Sequence, residues 1–290
     1  MSEVRTLAGP EGGARLSATL AQVSARLAYL RWTLDPPSPA EAGSEPRDGD
    51  WLACEELVAA PARLRQVILA TGRQLGTGSE AVASSLFVLA YAYRVLVFAV
   101  AGLTLDGVVP PSGASSMAVG LSRGRPSLVG YRGGRVVDLG VAPELLPERL
   151  AEPALRRAAL AVLLDEAVAG HLHLLVQATS AGLRVGRRLL WGNVAASAAV
   201  AFRTMEGLLG PWVRPLGESF FLEAPAELQG QGSFLLVEAG NRHGWFWERT
   251  SCCLNDRLPQ KVRCGDCSTT PVDERRAAYR RSLLGDEGQR

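Results

Sequence analysis

Catalytic signatures are scarce in this chain of 290 residues. No GxGxxG or GxxxxGK[ST] run is present to cradle a phosphate, no HExxH to hold a catalytic metal, and no GxSxG to present a nucleophile. No paired-carboxylate motif stands out either, so the common nucleotide-dependent and hydrolytic classes lose their usual markers. Excess charge is also lacking: the formal net charge is +2, and basic residues are interleaved with acidic ones. That leaves no electrostatic footprint for nucleic acid. The opening residues, Met1 to Pro10, lack a basic stretch followed by an apolar run, which gives the expectation of no secretory leader and of a cytoplasmic protein. Cysteine is rare outside one stretch, where only Cys54 occurs, and a single distant thiol reads as a small buried hydrophobe.

What is present is concentrated near the C-terminus. Cys252, Cys253, Cys264 and Cys267 form a CC-x10-CxxC array that holds four of the five cysteines. Such a set can make two disulfides, a zinc site, or the ligands of a small iron-sulfur cluster. A reducing compartment disfavours disulfides. Zinc is usually signalled by two separated CxxC knuckles, and here there is one; side chains of the adjacent pair Cys252-Cys253 diverge, which suits a two-iron cluster better than a single ion. Zinc stays open on spacing alone.

A hydrophobic fraction of 47% supports a large core, and periodicity outlines it. An amphipathic helix is expected over 14–34, followed by a Pro-rich flexible loop over 35–50. A short helix is expected over 54–72 and a long apolar one over 81–105. Arg94 at the middle of the latter argues for a core helix rather than a membrane span, with peripheral membrane contact left open. From Ser116 the period shifts to three short strands with turn glycines Gly130, Gly133 and Gly134. A helix is expected over 153–182; it contains His171 and His173, which point too far apart on a helix to share a metal. A second long helix begins near Gly186. Its small residues Gly192, Ala195, Ala196 and Ser197 allow a backbone or a bulky group close approach, with Asn193 and Ser197 on one face. Strands are expected over Gly217–Leu222, 232–240 and 241–249, and a last helix with Thr270 as cap and Pro271 at its first position. The fold class is α+β, mainly helical with a small antiparallel sheet and a C-terminal cysteine segment. The division expected is residues 1–50 as an N-terminal helix and loop, then residues 51–290 as one domain with the cluster-binding segment at 245–270.

Two local patterns resemble a known family. The CC-x10-CxxC array is similar to the C-terminal 2Fe-2S signature of the FhuF-like ferric iron reductases, or siderophore-iron reductases. Leu189-Leu190-Trp191-Gly192-Asn193, preceded by Arg187 and Arg188, resembles that family's "LLWGN" segment. The resemblance covers residues 51–270. It implies that Cys252, Cys253, Cys264 and Cys267 hold a 2Fe-2S cluster and pass one electron to the iron(III) of a ferric siderophore, inside the cell or at the inner face of its membrane. An external electron donor, a ferredoxin-like protein or a flavin reductase, is implied as partner. Arg249, Arg257 and Arg263 would supply positive charge beside the cluster, and Gly265 close backbone approach. Arg187, Arg188, Arg242, His243 and Arg249 are candidates for chelate contact. The rival readings are a zinc-stapled binding module and a relative of the siderophore-biosynthesis enzymes.

Overall fold

The structure is a computed structural model that describes residues 4–37, 47–123, 125–260 and 263–285. The loop expected over 35–50 falls mostly on 38–46, outside the described residues. In chain order the strands and α-helices are β1 (Arg5–Leu7), α1 (Gly9–Arg26), β2 (Arg31–Leu34), β3 (Trp51–Ala53), α2 (Cys54–Ala59), α3 (Pro61–Gln74) and α4 (Glu80–Asp106). There follow β4 (Val108–Val109), β5 (Met117–Ser122), β6 (Arg125–Tyr131), β7 (Val136–Asp138), α5 (Leu146–Ala151) and α6 (Pro153–Leu163). After a π-helical turn at Leu164–Leu172 come α7 (His173–Leu183), α8 (Arg187–Leu209), α9 (Val213–Glu223), β8 (Gly232–Ala239), β9 (Arg242–Arg249) and α10 (Val272–Leu284). The α+β class is as read from the sequence.

α4 is the axis. Ser79 caps it by accepting the Val82 N–H, and Gly107, at φ 65°, ends it in a left-handed turn. Between those caps nearly every side chain is buried, from Val82 to Asp106. Two helical stretches are long and apolar enough to cross a membrane, Glu80–Asp106 and Pro153–Leu183, but 78% of the apolar window of the first is buried inside the fold. α8 lies along α4, and α1, α3 and α7 also pack against it.

Among the described residues, three small sheets decorate this bundle. β2, β6, β5 and β3 form one, β1, β7 and β4 a second, and β8 with β9 a hairpin. β5 and β6 pair antiparallel as the sequence suggests, whereas β2 adds to β6 in parallel. The parallel strand replaces the end of the helix expected over 14–34. Leu27 and Leu30 stay buried as helical periodicity requires, but the chain turns after Arg26, and Trp32 and Thr33 take the extended form that β-branched and aromatic residues favour. The helix expected over 54–72 is split by Pro61, which starts α3. The strand expected over Gly217–Leu222 is helix α9 instead: Val213, Leu216, Gly217 and Phe220 recur at helical spacing and all four are buried. At the last helix Pro271 itself takes the cap position, one residue later than Thr270. Gly133, at φ 76°, supplies the left-handed turn expected of it.

The N-terminal segment shares the main core through Leu16, Leu20 and Val23. It is clasped by a buried polar knot: Arg15 Nη1 meets Asp106 Oδ2 at 2.5 Å and Arg15 Nε meets Asp138 Oδ2 at 2.7 Å, while Thr19 Oγ1 donates to Asp106 Oδ2 at 2.6 Å.

Candidate functional site

The cysteine segment lies on a platform made by α4, α8 and the end of β9. Asn193 of α8 is fully buried, and every polar atom of its side chain is engaged. Its Nδ2 donates to the Ser85 carbonyl and to Ser85 Oγ, each at 2.8 Å, and its Oδ1 accepts from Arg249 Nη2 at 2.7 Å. Ser85 Oγ in turn donates to the carbonyl of Cys253 at 2.7 Å. Arg249 Nε donates to the Ser251 carbonyl at 2.5 Å. One asparagine thus fixes the arginine and, through a serine, the backbone of the cysteine pair.

The small-residue surface of α8 admits a second backbone here. A Cβ on Gly192 would fall 1.7 Å from Ser251 Oγ and 3.0 Å from Ser251 Cβ, so a side chain at 192 would force Ser251 to move. Beyond the pair, Leu254 and Leu258 pack against Val82 and Leu86 of α4.

Local backbone geometry turns amides toward sulfur. Leu254 takes φ 62°, a left-handed conformation costly for a branched side chain, and its N–H lies 3.2 Å from Cys252 Sγ. The Asn255 N–H bonds to the Cys253 sulfur. Successive amides turned on one concave face make an anion-binding nest. Cys253 Sγ and Cys264 Sγ face each other at 2.8 Å, and Cys267 Sγ lies 3.0 Å from Thr269 Oγ1. Burial raises the Cys252 thiol, and the nearby charges of Asp256, Cys253 and Cys267 raise it further. The thiol of Cys253 is pulled down to about 6, first by the hydrogen bond from Cys264 and further by the Asn255 amide and the Arg249 charge. Cys264, as the donor of that bond, is pushed up.

Arg249 is 3% exposed, yet its hydrogen-bond partners are the neutral oxygens of Asn193 and Ser251. Among the described residues no carboxylate pairs with it. A buried cation without a counter-charge is expensive, and the sulfurs are where a counter-charge would form.

The donor chemistry therefore fits an iron-sulfur or zinc group: four thiols, two of them receiving amides, beside a buried cation. The arrangement is not that of a formed metal site. Among the described residues no three His, Cys, Asp or Glu side chains are grouped to hold a metal ion. As thiols, Cys253 and Cys264 close on one another because one donates a hydrogen bond to the other, while Cys252 turns toward Asp256 and Cys267 toward Thr269.

Other residues singled out from the sequence are dispersed. Arg187 and Arg188 are exposed at the start of α8, and Arg242 and His243 are exposed where β9 begins, Arg242 Nη1 donating to the Leu283 carbonyl. Arg257 and Arg263 are exposed, and Gly265 has open space where a Cβ would stand. Of the five chelate-contact candidates, Arg249 is the one that lines the cavity of about 360 Å³ beside Cys264. Periodicity did not single out Arg125 and Tyr93, which line it too. Trp245 and Trp247 pack into the main core and Phe246 stacks on Tyr279, so this aromatic run serves as an ordinary alternating strand.

The family model described as "Ferric iron reductase FhuF-like transporter" matches residues 85–241, more than half of the chain. The chain belongs to this family. The FhuF-like match includes Ser85 and Asn193 and ends before the cysteine array, so α8 and all but the first turn of α4 lie within it and the sulfurs outside it. No curated protein matches the chain. Among solved structures, the ATP-bound aerobactin synthetase IucA from a hypervirulent pathotype of Klebsiella pneumoniae aligns with a TM-score of 0.51 at 18% identity, over 69% of this chain and 42% of that one. A second structure of IucA aligns at 0.52 and 16% identity, over 87% and 47%. At such identities the likeness is one of fold, and this FhuF-like chain spans less than half the length of the synthetases.

Proposed function

We infer that this FhuF-like protein is a cytoplasmic ferric-siderophore reductase, in which Cys252, Cys253, Cys264 and Cys267 hold a 2Fe-2S cluster. The observation that carries the reading is Arg249, a buried guanidinium bonded to neutral oxygens, whose charge acts on the Cys253 and Cys264 thiols. Such a cation stabilises sulfur as thiolate, the form that binds metal. Family membership supports the iron chemistry, and the amides of Leu254 and Asn255 support a centre whose sulfurs carry negative charge.

A 2Fe-2S group held here would supply one-electron transfer. The chain's own residues have simpler tasks. Asn193 and Ser85 hold the cysteine backbone in place, Leu254 and Leu258 cover it on one side, and Arg249 raises the potential of whatever anionic centre it faces. No proton need be moved at any side chain: one electron arrives from an external one-electron donor and one leaves to the chelated iron(III), giving iron(II). The hard oxygen ligands of a siderophore hold iron(II) less firmly, so reduction releases the metal.

Anaerobic purification with iron and acid-labile sulfide assay tests this, followed by EPR of the dithionite-reduced protein. Iron and sulfide in equal amounts, both lost in Cys264→Ser, are expected, together with reoxidation of the reduced protein by ferric siderophores. Zinc without sulfide would leave a zinc-stapled binding module instead. The synthetase-like fold favours one other reading, a siderophore-assembly enzyme; siderophore-dependent ATP turnover by a sulfide-free protein is the outcome that would establish it.

A further inference from the structure

We propose that the cavity beside Cys264 is where the ferric chelate docks, and that it selects anionic chelates presenting one apolar edge. The proposal rests on the reductase reading above and adds the place and the specificity. The cavity lies between α4 and α8 and is floored by the cysteine segment. Its walls are apolar, from Leu86, Leu89 and Ala90 on one helix to Ala196 and Val200 on the other, and Val200 is 39% exposed on that face. The rest of its lining is mainly polar, and includes Cys264, Asn255 and Arg249.

Charge decides the occupant. Arg249 is set against the sulfurs, so Arg125 is the cation of the lining left for a ligand, and Asp266 is its one anion. Among the described residues Arg125 makes no ion pair, although burial lowers its pKa. A guanidinium that makes no ion pair among the described residues attracts an anion from solution. Volume sets how much of the ligand enters. About 360 Å³ is at the lower end of the roughly 300–1,000 Å³ range of small-molecule sites. One face of an oxygen-ligated iron complex fits, and the remainder stays in solvent near Tyr93.

Cys264, a proposed cluster ligand, lines this cavity, so a chelate seated there lies beside the electron donor. The step is the transfer of one electron from the reduced centre to iron(III), giving iron(II) and an oxidised centre; no other bond is made or broken. An external one-electron donor, or dithionite in the test tube, restores the reduced state.

Docking is measured without turnover by replacing iron with redox-inert gallium(III). Calorimetry of the purified protein with a strongly anionic gallium tricatecholate and with a cationic gallium trihydroxamate bearing a free ammonium separates charge from shape. The wild type is expected to bind the anionic complex more tightly, and to lose affinity for it as salt rises. Arg125→Glu should weaken the anionic complex by roughly tenfold or more without weakening the cationic one. Val200→Trp should weaken both by roughly tenfold by filling the mouth. Both residues are exposed, and circular dichroism is the check that the variants keep the fold. Affinities for both complexes within about twofold of wild type in both variants, or no preference for the anionic complex in the wild type, would overturn the docking site. Gallium binding in a protein that contains no sulfide would support the groove and remove the reductase reading, so the two claims fail separately.

Discussion

Arg249 Nη2 stands 2.7 Å from Asn193 Oδ1, joining the last residue of β9 to the second turn of α8 at the point where the cysteine segment begins. The same asparagine reaches Ser85, so α4, α8 and the chain leading to the thiols share a single side chain.

Asn193→Leu should therefore be far more costly than loss of one hydrogen bond. It leaves a buried guanidinium with one fewer acceptor and frees Ser85, for an expected loss of roughly 3 kcal/mol. Urea unfolding measures this. Iron and sulfide content should fall with it, and a loss under about 1 kcal/mol would show that the network is dispensable.

Gly192→Ala and Gly207→Ala form a matched pair on α8. A methyl at 192 meets Ser251 Oγ, whereas one at 207 meets nothing within 4 Å. The first is expected to destabilise by roughly 1–3 kcal/mol. The second should be neutral or stabilise by up to about 1 kcal/mol, because alanine is the better helix former. Equal midpoints in thermal unfolding for the two variants would contradict the docking of Ser251 on α8.

Acid sensitivity should centre on His171. It is fully buried, its Nε2 lies 2.7 Å from Tyr91 Oη and its Nδ1 2.8 Å from the Ser112 carbonyl, and burial lowers its pKa to about 4. A folded-state pKa below the unfolded value of about 6.5 means that the unfolded chain takes up the proton first. Stability is thus complete above about pH 6.5 and falls as the pH approaches 4, by about 3 kcal/mol from this group. His171→Gln should unfold with a flatter pH dependence between 6.5 and 4, read from denaturant midpoints; an unchanged slope would refute the assignment.

Arg15→Met tests the knot that fastens the N-terminal helix. It strands the carboxylates of Asp106 and Asp138, with side-chain exposures of 3% and 9%, and should cost roughly 3–5 kcal/mol at neutral pH. Addition of Asp138→Asn should recover part of the loss, and a strictly additive double variant would show that the two sites are uncoupled.

The helices that carry the site were legible because α4 and α8 are long, strongly patterned and capped or flanked by glycine. The small-residue face of α8 was also legible as a place of close approach; which backbone came to it was not, since Ser251 lies 59 residues further on. Elements fixed by distant partners escaped local reading. β2 is extended because β6 offers it a parallel edge, and the Phe220-Phe221 run is helical because it packs against Phe202 and Trp247 rather than in a sheet. The four cysteines could be picked out by spacing alone, but Arg125 could not, because only folding brings the start of β6 to the rim of a cavity between α4 and α8.

The platform also sets an order of events. Ser85, Asn193 and the surface they build belong to chain made well before the cysteines emerge, and the thiol-bearing segment settles on it as a late arrival. Loading of the proposed cluster would then be a finishing step on a body that has already folded. Protein starved of iron should accumulate as a stable, helix-rich apo form rather than be cleared as unfolded chain.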